Sequence, residues 1–317
     1  MRFVVRSSLQ FVLVMLAVTL VAFGALSSLG DPLFNILGPA ALEESGPEFA
    51  EVRAEARAQF HLDDPFPIRY ARWLGDMVTG DFGRSFSNQV SVTSILAERL
   101  PITFVLMVYA QIISIVVSVP WAMWSASRAY KTVDKVSTVG SFVMLGIPVF
   151  ALSVLLFWLF AVELDWFPTR YDDSSFGMQL RSLFLPALSL AVPLIATYQR
   201  LLRTDLISTL QEDFVSVARA KGLPRWFILF RHALRPSLFS LLTVFGIQVG
   251  ALIGGSLVVE RQFQIPGVGR EIIEAIFRDD FPVVLAVVVI VSAVFVAVNI
   301  LVDLLYSFLD PRVSFDG

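Results

Sequence analysis

Cysteine is absent from this 317-residue chain, which excludes disulfides, thiolate metal sites and cysteine nucleophiles. Histidine occurs only at His61 and His232, and two positions so far apart do not favour a histidine-based zinc site. Charge is scarce as well, because 16% of the residues are charged against about 25% in an ordinary soluble protein. No G-x4-G-K-[ST] phosphate loop occurs, so the chain lacks the usual ATP-binding motif.

Hydrophobic residues make up 56% of the chain, more than one soluble core needs. A helix crosses the roughly 30 Å of membrane hydrocarbon with about 20 apolar residues. Six charge-free stretches reach or approach that length: Ser7–Gly30, Leu100–Ser127, Val136–Val162, Ser182–Gln199, Pro236–Val259 and Phe281–Val302. They predict an all-α integral membrane protein with about six transmembrane helices. The fourth stretch is the shortest and contains Pro186 and Pro193.

The first stretch follows Arg2 and Arg6, a pattern that a signal peptide shares. Its apolar run is longer than the usual core of about 7–15 residues in a signal peptide, which favours an uncleaved membrane anchor.

The positions of the basic residues predict the orientation. Lysines and arginines crowd the short connection after the second stretch and the long connection at residues 200–235, and all lysines of the chain lie there. Cytoplasmic loops carry such an excess, so we expect both loops and both termini on the cytoplasmic side of the inner membrane.

The predicted outer region at residues 31–99 is too long for a simple connection. Phe49, Val52, Ala56 and Phe60 recur at helical spacing. After Pro65 and Pro67 a second amphipathic helix is predicted by apolar residues at i, i+3, i+4, i+7 and i+8, namely Tyr70, Trp73, Leu74, Met77 and Val78. Gly80 and Gly83 should end it. These helices either lie on the membrane surface and cover the spans or dock an external partner.

The predicted organisation is therefore a transmembrane helix at residues 1–30, an outer region at 31–99, a five-helix core at 100–312 that includes the cytoplasmic loop at 200–235, and a tail at 313–317. Prolines inside the spans can bend helices around a cavity or only shape their packing: Pro120, Pro148, Pro186 and Pro193. Glycines at four-residue spacing predict close helix contact in the fifth span: Gly246, Gly250, Gly254 and Gly255.

The connection at residues 200–235 is interrupted at its centre by Gly222 and Pro224. We expect a helix over Asp205–Ala220, with Leu206, Leu210, Phe214 and Val217 along one stripe. Gly222 is predicted to be a left-handed helix end, and Trp226–Leu234 to form a second short helix. Such a corner could transmit force from a soluble partner, or the loop could simply bind anionic lipid headgroups.

This loop resembles the "EAA" loop of ATP-binding-cassette (ABC) importer permeases, and most closely that of the dipeptide/oligopeptide branch. The resemblance rests on the run Asp213–Phe–Val–Ser–Val–Ala–Arg–Ala–Lys–Gly222–Leu and on Phe230–Arg–His–Ala–Leu–Arg235. The general pattern E-A-A-x3-G-x9-I-x-L-P falls on Ser216, Val217, Ala218, Gly222, His232 and Leu234. The chain departs from it with Ser216 for Glu, Val217 for Ala, His232 for Ile and Arg235 for Pro, departures that are usual in the peptide branch.

Further segments resemble the same branch and extend the similarity over most of the chain: Leu62–Asp–Asp–Pro65, Gly80–Asp–Phe–Gly–Arg–Ser85, Gly146–Ile–Pro–Val–Phe150, Phe184–Leu–Pro–Ala–Leu–Ser–Leu190, Val259–Glu260, Pro266–Gly–Val–Gly269 and Leu309–Asp–Pro–Arg312. The resemblance implies the type I ABC importer permease fold.

It further implies a non-catalytic subunit that imports peptides by ATP-driven alternating access. Its expected partners are a second homologous permease, two ABC ATPase subunits, an extracytoplasmic substrate-binding protein and membrane lipid, but not nucleic acid. No cofactor is expected in this chain, since ATP would be bound by the ATPases. The residues implied to form the ATPase-coupling loop are Ser216, Ala218, Ala220, Lys221, Gly222, Leu223 and Pro224.

Other classes remain open from the residues alone. A secondary transporter or channel usually carries ionisable residues deep in its spans, and the six predicted cores contain none. An intramembrane enzyme would need a nucleophile paired with a base or a metal cluster, whereas composition does not exclude a scaffold protein. Within the importer family, nickel chelates and glutathione are alternative cargoes.

Overall fold

A computed structural model of the chain describes residues 2–28, 33, 37, 47–59 and 61–309. Its regular elements within these residues are helices: α1 (Arg2–Ser28), α2 (Pro47–Gln59), α3 (Phe66–Val78), α4 (Val92–Ala126), α5 (Thr132–Gly146), α6 (Val149–Leu156, extended by a π-helix at Phe157–Glu163), α7 (Phe176–Thr209), α8 (Asp213–Ala220), α9 (Arg225–Phe227, extended by a π-helix at Ile228–Ala233), α10 (Leu234–Gln262), α11 (Val268–Phe277) and α12 (Phe281–Leu309). The all-α prediction is confirmed.

Among the residues that the structure describes, five continuous helical segments are long and apolar enough to cross a membrane: Ser8–Ser28, Val92–Ala126, Phe176–Thr209, Arg225–Gln262 and Phe281–Val302. A sixth span results if the bent pair Thr132–Gly146 and Val149–Glu163 counts as one. The prediction of an integral membrane fold with about six spans is therefore confirmed.

The third predicted span is not one helix. Its two halves, α5 and α6, meet at Ile147 and Pro148 with a bend of 94°. Proline lacks an amide hydrogen and disfavours helical backbone in the residue before it. Ile147 accordingly adopts an extended conformation, with φ −86° and ψ 118°. Pro186 and Pro193, in contrast, lie inside α7 without ending it.

The fourth predicted span, Ser182–Gln199, was placed too short, because α7 runs from Phe176 to Thr209. Ser175 begins the helix, its side chain accepting a hydrogen bond from the amide of Met178 at 3.2 Å. In the most apolar window of α7, 61% of the residues are buried, against 33% or less in the other four continuous spans. Arg181 and Arg200 bound the predicted charge-free stretch, and α7 continues past both of them.

The chain divides into two compact units. The first comprises Met1–Ile102 and Gly267–Ala297, and the second comprises Thr103–Pro266 and Val298–Gly317. Both units are discontinuous in sequence, whereas the sequence-based division into residues 1–30, 31–99, 100–312 and 313–317 is continuous. That division describes topology and stays a prediction.

In the first unit, α3 packs its aromatic stripe on α1. The ring centroid of Phe23 lies 5.7 Å from that of Tyr70 and 5.4 Å from that of Trp73. The Tyr70 hydroxyl also lies 2.9 Å from Oγ1 of Thr19, within hydrogen-bond distance. The predicted amphipathic helix is confirmed, with Tyr70, Trp73, Leu74 and Met77 half-buried and Val78 exposed. Both glycines after it have positive φ, 87° at Gly80 and 76° at Gly83.

The other apolar cluster of the first unit joins the start of α4, α11 and the first turns of α12. Its buried members are Val92, Ile95, Leu96, Val268, Ala275, Val283, Val284, Ala286 and Val287. Beside it, Nη2 of Arg99 lies 2.8 Å from Oε2 of Glu271. Burial raises the pKa of the Glu271 carboxyl, although the Arg99 charge favours its ionised form.

A buried aspartate fixes the loop before α4. The carboxylate of Asp280 accepts hydrogen bonds from the Ser85 hydroxyl, from the amide of Phe86 at 3.0 Å and from the Ser87 hydroxyl at 2.9 Å. It thereby satisfies several polar groups of this loop with one side chain.

In the second unit, small residues let helices approach α10 closely. A Cβ atom added to Gly255 would lie 2.9 Å from Cδ2 of Leu190 in α7. One added to Gly246 would lie 3.2 Å from Oδ1 of Asn299 in α12. The predicted close packing is thus confirmed at these two positions, whereas Gly254 has open space around it.

Candidate coupling loop

The loop after α7 contains one more break than its sequence predicts. The expected helix over Asp205–Ala220 is wrong, because α7 ends at Thr209 and α8 begins at Asp213. The amide of Glu212 donates to the carbonyl of Thr209 at 3.2 Å, which closes a turn. Glu212 itself is extended, with φ −67° and ψ 151°, so the helix cannot continue through it.

The corner after α8 is a Schellman helix end. The amide of Leu223 donates to the carbonyl of Ala218 at 3.3 Å, and the amide of Gly222 donates to the carbonyl of Arg219 at 2.9 Å. Gly222 has φ 74°, which confirms the predicted left-handed conformation. Pro224 then precedes α9 with an extended backbone. A side chain at position 222 would therefore strain the backbone, although open space surrounds it.

A small core fixes the angle of this corner. Val215 and Ala218 of α8 and Ile228 after α9 are at most 4% exposed, and half-buried Leu210 and Leu223 pack against them. The predicted stripe is therefore wrong beyond Leu210, since Phe214 and Val217 are 46% and 55% exposed. The break at residues 210–212 resets the helical phase, so a stripe counted through it falls on the wrong face of α8.

The predicted coupling residues occupy this corner with different exposures. Ala218 is buried, Leu223 is half-buried, and the others are exposed: Ser216, Ala220, Lys221, Gly222 and Pro224. Two exposed aromatic residues of this loop are not in the predicted set: Trp226 is 66% exposed and Phe230 is 59% exposed. The π-helical turn that follows α9 changes the helical spacing at Phe230, whereas Trp226 lies before that turn.

The second helix of the corner is continuous with a membrane span. Trp226–Leu234 was predicted to be a separate short helix, but α9, its π-helical extension and α10 form one uninterrupted segment, Arg225–Gln262. A displacement of the corner is therefore carried along α10 without an intervening loop.

Deeper in the second unit, a buried ion pair joins α5 to α7. Nη2 of Arg203 donates to Oδ2 of Asp134 at 2.6 Å, and Nε of Arg203 donates to its other oxygen. The same carboxylate, which is 2% exposed, accepts from the Ser125 hydroxyl at 2.7 Å and from the Tyr130 amide at 2.8 Å.

Uncharged polar contacts continue along α7. Gln199 accepts from the Ser141 hydroxyl at 2.6 Å and donates to the Ser137 hydroxyl at 3.1 Å. At the preceding residue, the Tyr198 hydroxyl donates to Oε1 of Gln111 at 2.9 Å. Sequence analysis missed these contacts and the Asp134–Arg203 pair, because hydropathy ends a predicted span at its first charge. The predicted cores themselves contain no ionisable residue, and Asp134 and Arg203 lie just outside them, near one end of α5 and of α7.

Several long apolar helices, close glycine packing and an exposed amphipathic corner continuous with a span define the class as a multi-pass membrane permease component. The family described as "Binding-protein-dependent transport system inner membrane component" matches residues 118–315. The chain belongs to this family, whose members are ABC-importer permeases with the type I fold.

Relatives match over nearly the whole chain. The oligopeptide transport system permease protein of Bacillus subtilis (strain 168) is 33% identical over 320 residues, covering 99% of both chains. A putative peptide transport system permease protein of Brucella abortus (strain 2308) is 38% identical over 314 residues, covering 97% of both. The dipeptide transport system permease protein of Alkalihalophilus pseudofirmus is 29% identical over 337 residues, covering 99% of both.

Proposed function

We propose that this chain forms half of the channel of an ABC peptide importer, paired with a second homologous permease. Two ATPase subunits bind below it and hydrolyse ATP, and an extracytoplasmic binding protein delivers the cargo. Both termini are cytoplasmic, so the corner at Gly222 faces the ATPases. Peptide cargo is supported by the names of its relatives, which are oligopeptide, dipeptide and peptide permeases. Nickel chelates and glutathione are the competing cargoes.

The observation that carries this proposal is the exposed apolar corner. Phe214, Val217 and Trp226 stand exposed around a corner whose angle is fixed by buried Val215 and Ile228. A soluble loop does not gain from exposed aromatic residues, whereas a partner that covers them does. Because α9 continues into α10, ATPase closure can move the corner and the span together and so open the path alternately to each side.

The proposal is tested with Gly222→Val in the assembled complex. Valine at φ 74° costs about 1 kcal/mol or more in backbone strain, and nothing within 4 Å of the added Cβ adds a clash. The corner should shift while the spans still insert. We expect normal membrane levels, but loss of the ATPases on purification or ATP hydrolysis without peptide uptake.

Gly80→Val is the matched control, because Gly80 has φ 87° and equally open surroundings but lies in the loop after α3. It should keep ATPase retention and hydrolysis coupled to uptake. Normal retention and normal uptake by Gly222→Val would reject the coupling role of this corner. Competition of labelled dipeptide uptake by longer peptides, glutathione and nickel chelates would then identify the cargo class.

A further inference from the structure

The first compact unit contains a cavity of about 290 Å³ to which the proposed coupling mechanism assigns no role. One wall is the face of α3 that carries Arg69, Arg72, Trp73 and Asp76, at positions i, i+3, i+4 and i+7. This face adjoins the aromatic stripe that packs on α1. The loop after α3 adds Asp81, also charged, to the lining.

The opposite wall is apolar. It consists of the last turns of α1, including Phe23 and Leu26, and the first turns of α12, including Phe281 and Leu285. Both helices are membrane spans, so a cavity at the end of one and the start of the other lies at the boundary between hydrocarbon and water. The cavity therefore combines a charged wall with an apolar wall at the depth of lipid headgroups.

The charged residues that line the cavity differ in whether they form ion pairs. Nη1 of Arg72 is bound to Oδ2 of Asp64 at 2.6 Å. The Arg69 guanidinium instead lies 5.9 Å from the centroid of the Phe23 ring and forms no ion pair with an acidic residue in the described part of the chain. Asp76 likewise forms no ion pair there. Arg84, which also lines the cavity, donates to the carbonyl of Gln89 at 3.3 Å, and Asp81 accepts from the amide of Gly83 at 2.9 Å. On the α3 wall, Arg69 and Asp76 thus remain without an ion-pair partner among the described residues, about two helical turns apart.

We propose that this cavity binds one phospholipid with a zwitterionic, primary-amine headgroup, such as phosphatidylethanolamine. Arg69 binds the phosphate through charge-assisted hydrogen bonds, and Asp76 accepts from the ammonium group. The acyl chains lie along the apolar side chains of α1 and α12. An anionic headgroup without an amine would leave Asp76 unpaired and close to a second negative charge, and a free dipeptide would leave the apolar wall uncovered.

The binding is measured by native mass spectrometry of the full chain in its complex, delipidated in mild detergent and titrated with palmitoyl-oleoyl phosphatidylethanolamine. We expect one tightly bound lipid per copy. Arg69→Gln should weaken this binding about tenfold or more, because it removes a charged hydrogen-bond donor. Arg170→Gln is the matched control, since Arg170 is exposed and lies outside the cavity, and it should bind as the parent chain does.

A second variant separates the two headgroup contacts. Asp76→Asn should bind palmitoyl-oleoyl phosphatidylglycerol as well as phosphatidylethanolamine, whereas the parent chain should prefer phosphatidylethanolamine. Equal lipid binding by Arg69→Gln and Arg170→Gln, equal affinity of the parent chain for both lipids, or displacement of the lipid by a dipeptide would each overturn the proposal. The measurement needs no ATP and no transport, so its outcome is independent of the coupling role of Gly222.

Discussion

The aromatic residues of α3 are half-buried against the same chain, whereas those of α8 and α9 are exposed. In α3, Tyr70 and Trp73 lie against Phe23 of the same chain, and both are half-buried. In α8 and α9, Phe214 and Trp226 project from the surface, and the buried positions are held by small or aliphatic side chains. Helices of similar amphipathic character thus differ in whether the chain itself covers their aromatic face.

The difference separates residues that stabilise the chain from residues that bind a partner. Removing a covered aromatic residue should lower the stability of the permease itself. Removing an uncovered one should leave that stability unchanged and weaken assembly instead. The predicted topology puts α3 on the outer side of the membrane and the corner on the cytoplasmic side, which is the first point to test.

The largest expected effect is an all-or-none labelling difference. The native chain has no cysteine, so Ser174→Cys and Ser208→Cys each create a single exposed thiol. With cytoplasmic termini, the cysteine at 174 should react with a membrane-impermeant maleimide in intact cells. The one at 208 should react only after the inner face is opened. The reverse pattern would place the Gly222 corner outside the cell and contradict the predicted orientation of the chain.

The next effect concerns the covered face of α3. Trp73→Asp should lower the free energy of unfolding by about 3 kcal/mol, because it removes a packed aromatic ring and puts a charge in its place. Thermal unfolding of the purified complex measures the change. Val78→Asp is the control, since Val78 is 76% exposed and should tolerate the charge. Equal losses in both variants would show that the stripe on α1 does not stabilise the chain.

The uncovered face should respond through assembly. Trp226→Ser should weaken ATPase binding by about 2 kcal/mol, as expected for an aromatic residue central to an interface, without changing the thermal stability of the permease alone. Val215→Ser should reduce both quantities, since Val215 is buried beneath the corner. Co-purification with the ATPases and thermal unfolding report the two effects. A loss of stability in Trp226→Ser would mean that the chain itself covers this residue.

The smallest effect is that of one hydroxyl group. Tyr70→Phe keeps the ring on Phe23 but removes the 2.9 Å contact with Thr19, which should cost about 1 kcal/mol. Tyr130→Phe serves as the reference, because its side chain is 72% exposed. No difference between their unfolding temperatures would assign the whole α1–α3 contact to ring packing.

Local signals in the sequence predicted much of the architecture. The amphipathic spacing of α3 and the left-handed Gly222 follow from chemistry within a few residues, and both were predicted. The 94° bend at Pro148 was not predicted. Pro148 and Pro186 both lie inside predicted spans, and the sequence alone does not show which of the two prolines ends a helix. The domain division and the contact residues of the coupling loop remain predictions, since no partner chain is present.

Long-range pairing explains the other differences. Asp134 and Arg203 are 69 residues apart, and each alone reads as the end of a span. Their pairing compensates the buried carboxylate of Asp134 in the first turn of α5 and so stabilises a charged residue between α5 and α7. The break before α8 was hidden because Gln211 and Glu212 are ordinary helix residues, although Glu212 adopts an extended backbone and Val215, three residues later, is buried in the core of the corner.

The π-helical turn at Ile228–Ala233 determines the direction, around the axis of α10, in which the corner projects. Each i→i+5 bond encloses one residue more than an α-helical bond, and one residue corresponds to about 100° of rotation around an α-helix. The direction in which Trp226 points is therefore set relative to α10 by the register of this turn, independently of the side chains on either helix. Loss of one residue after Ile228 would turn the corner to another direction relative to α10, although α8 and its helix end at Gly222 would keep their own backbone hydrogen bonds.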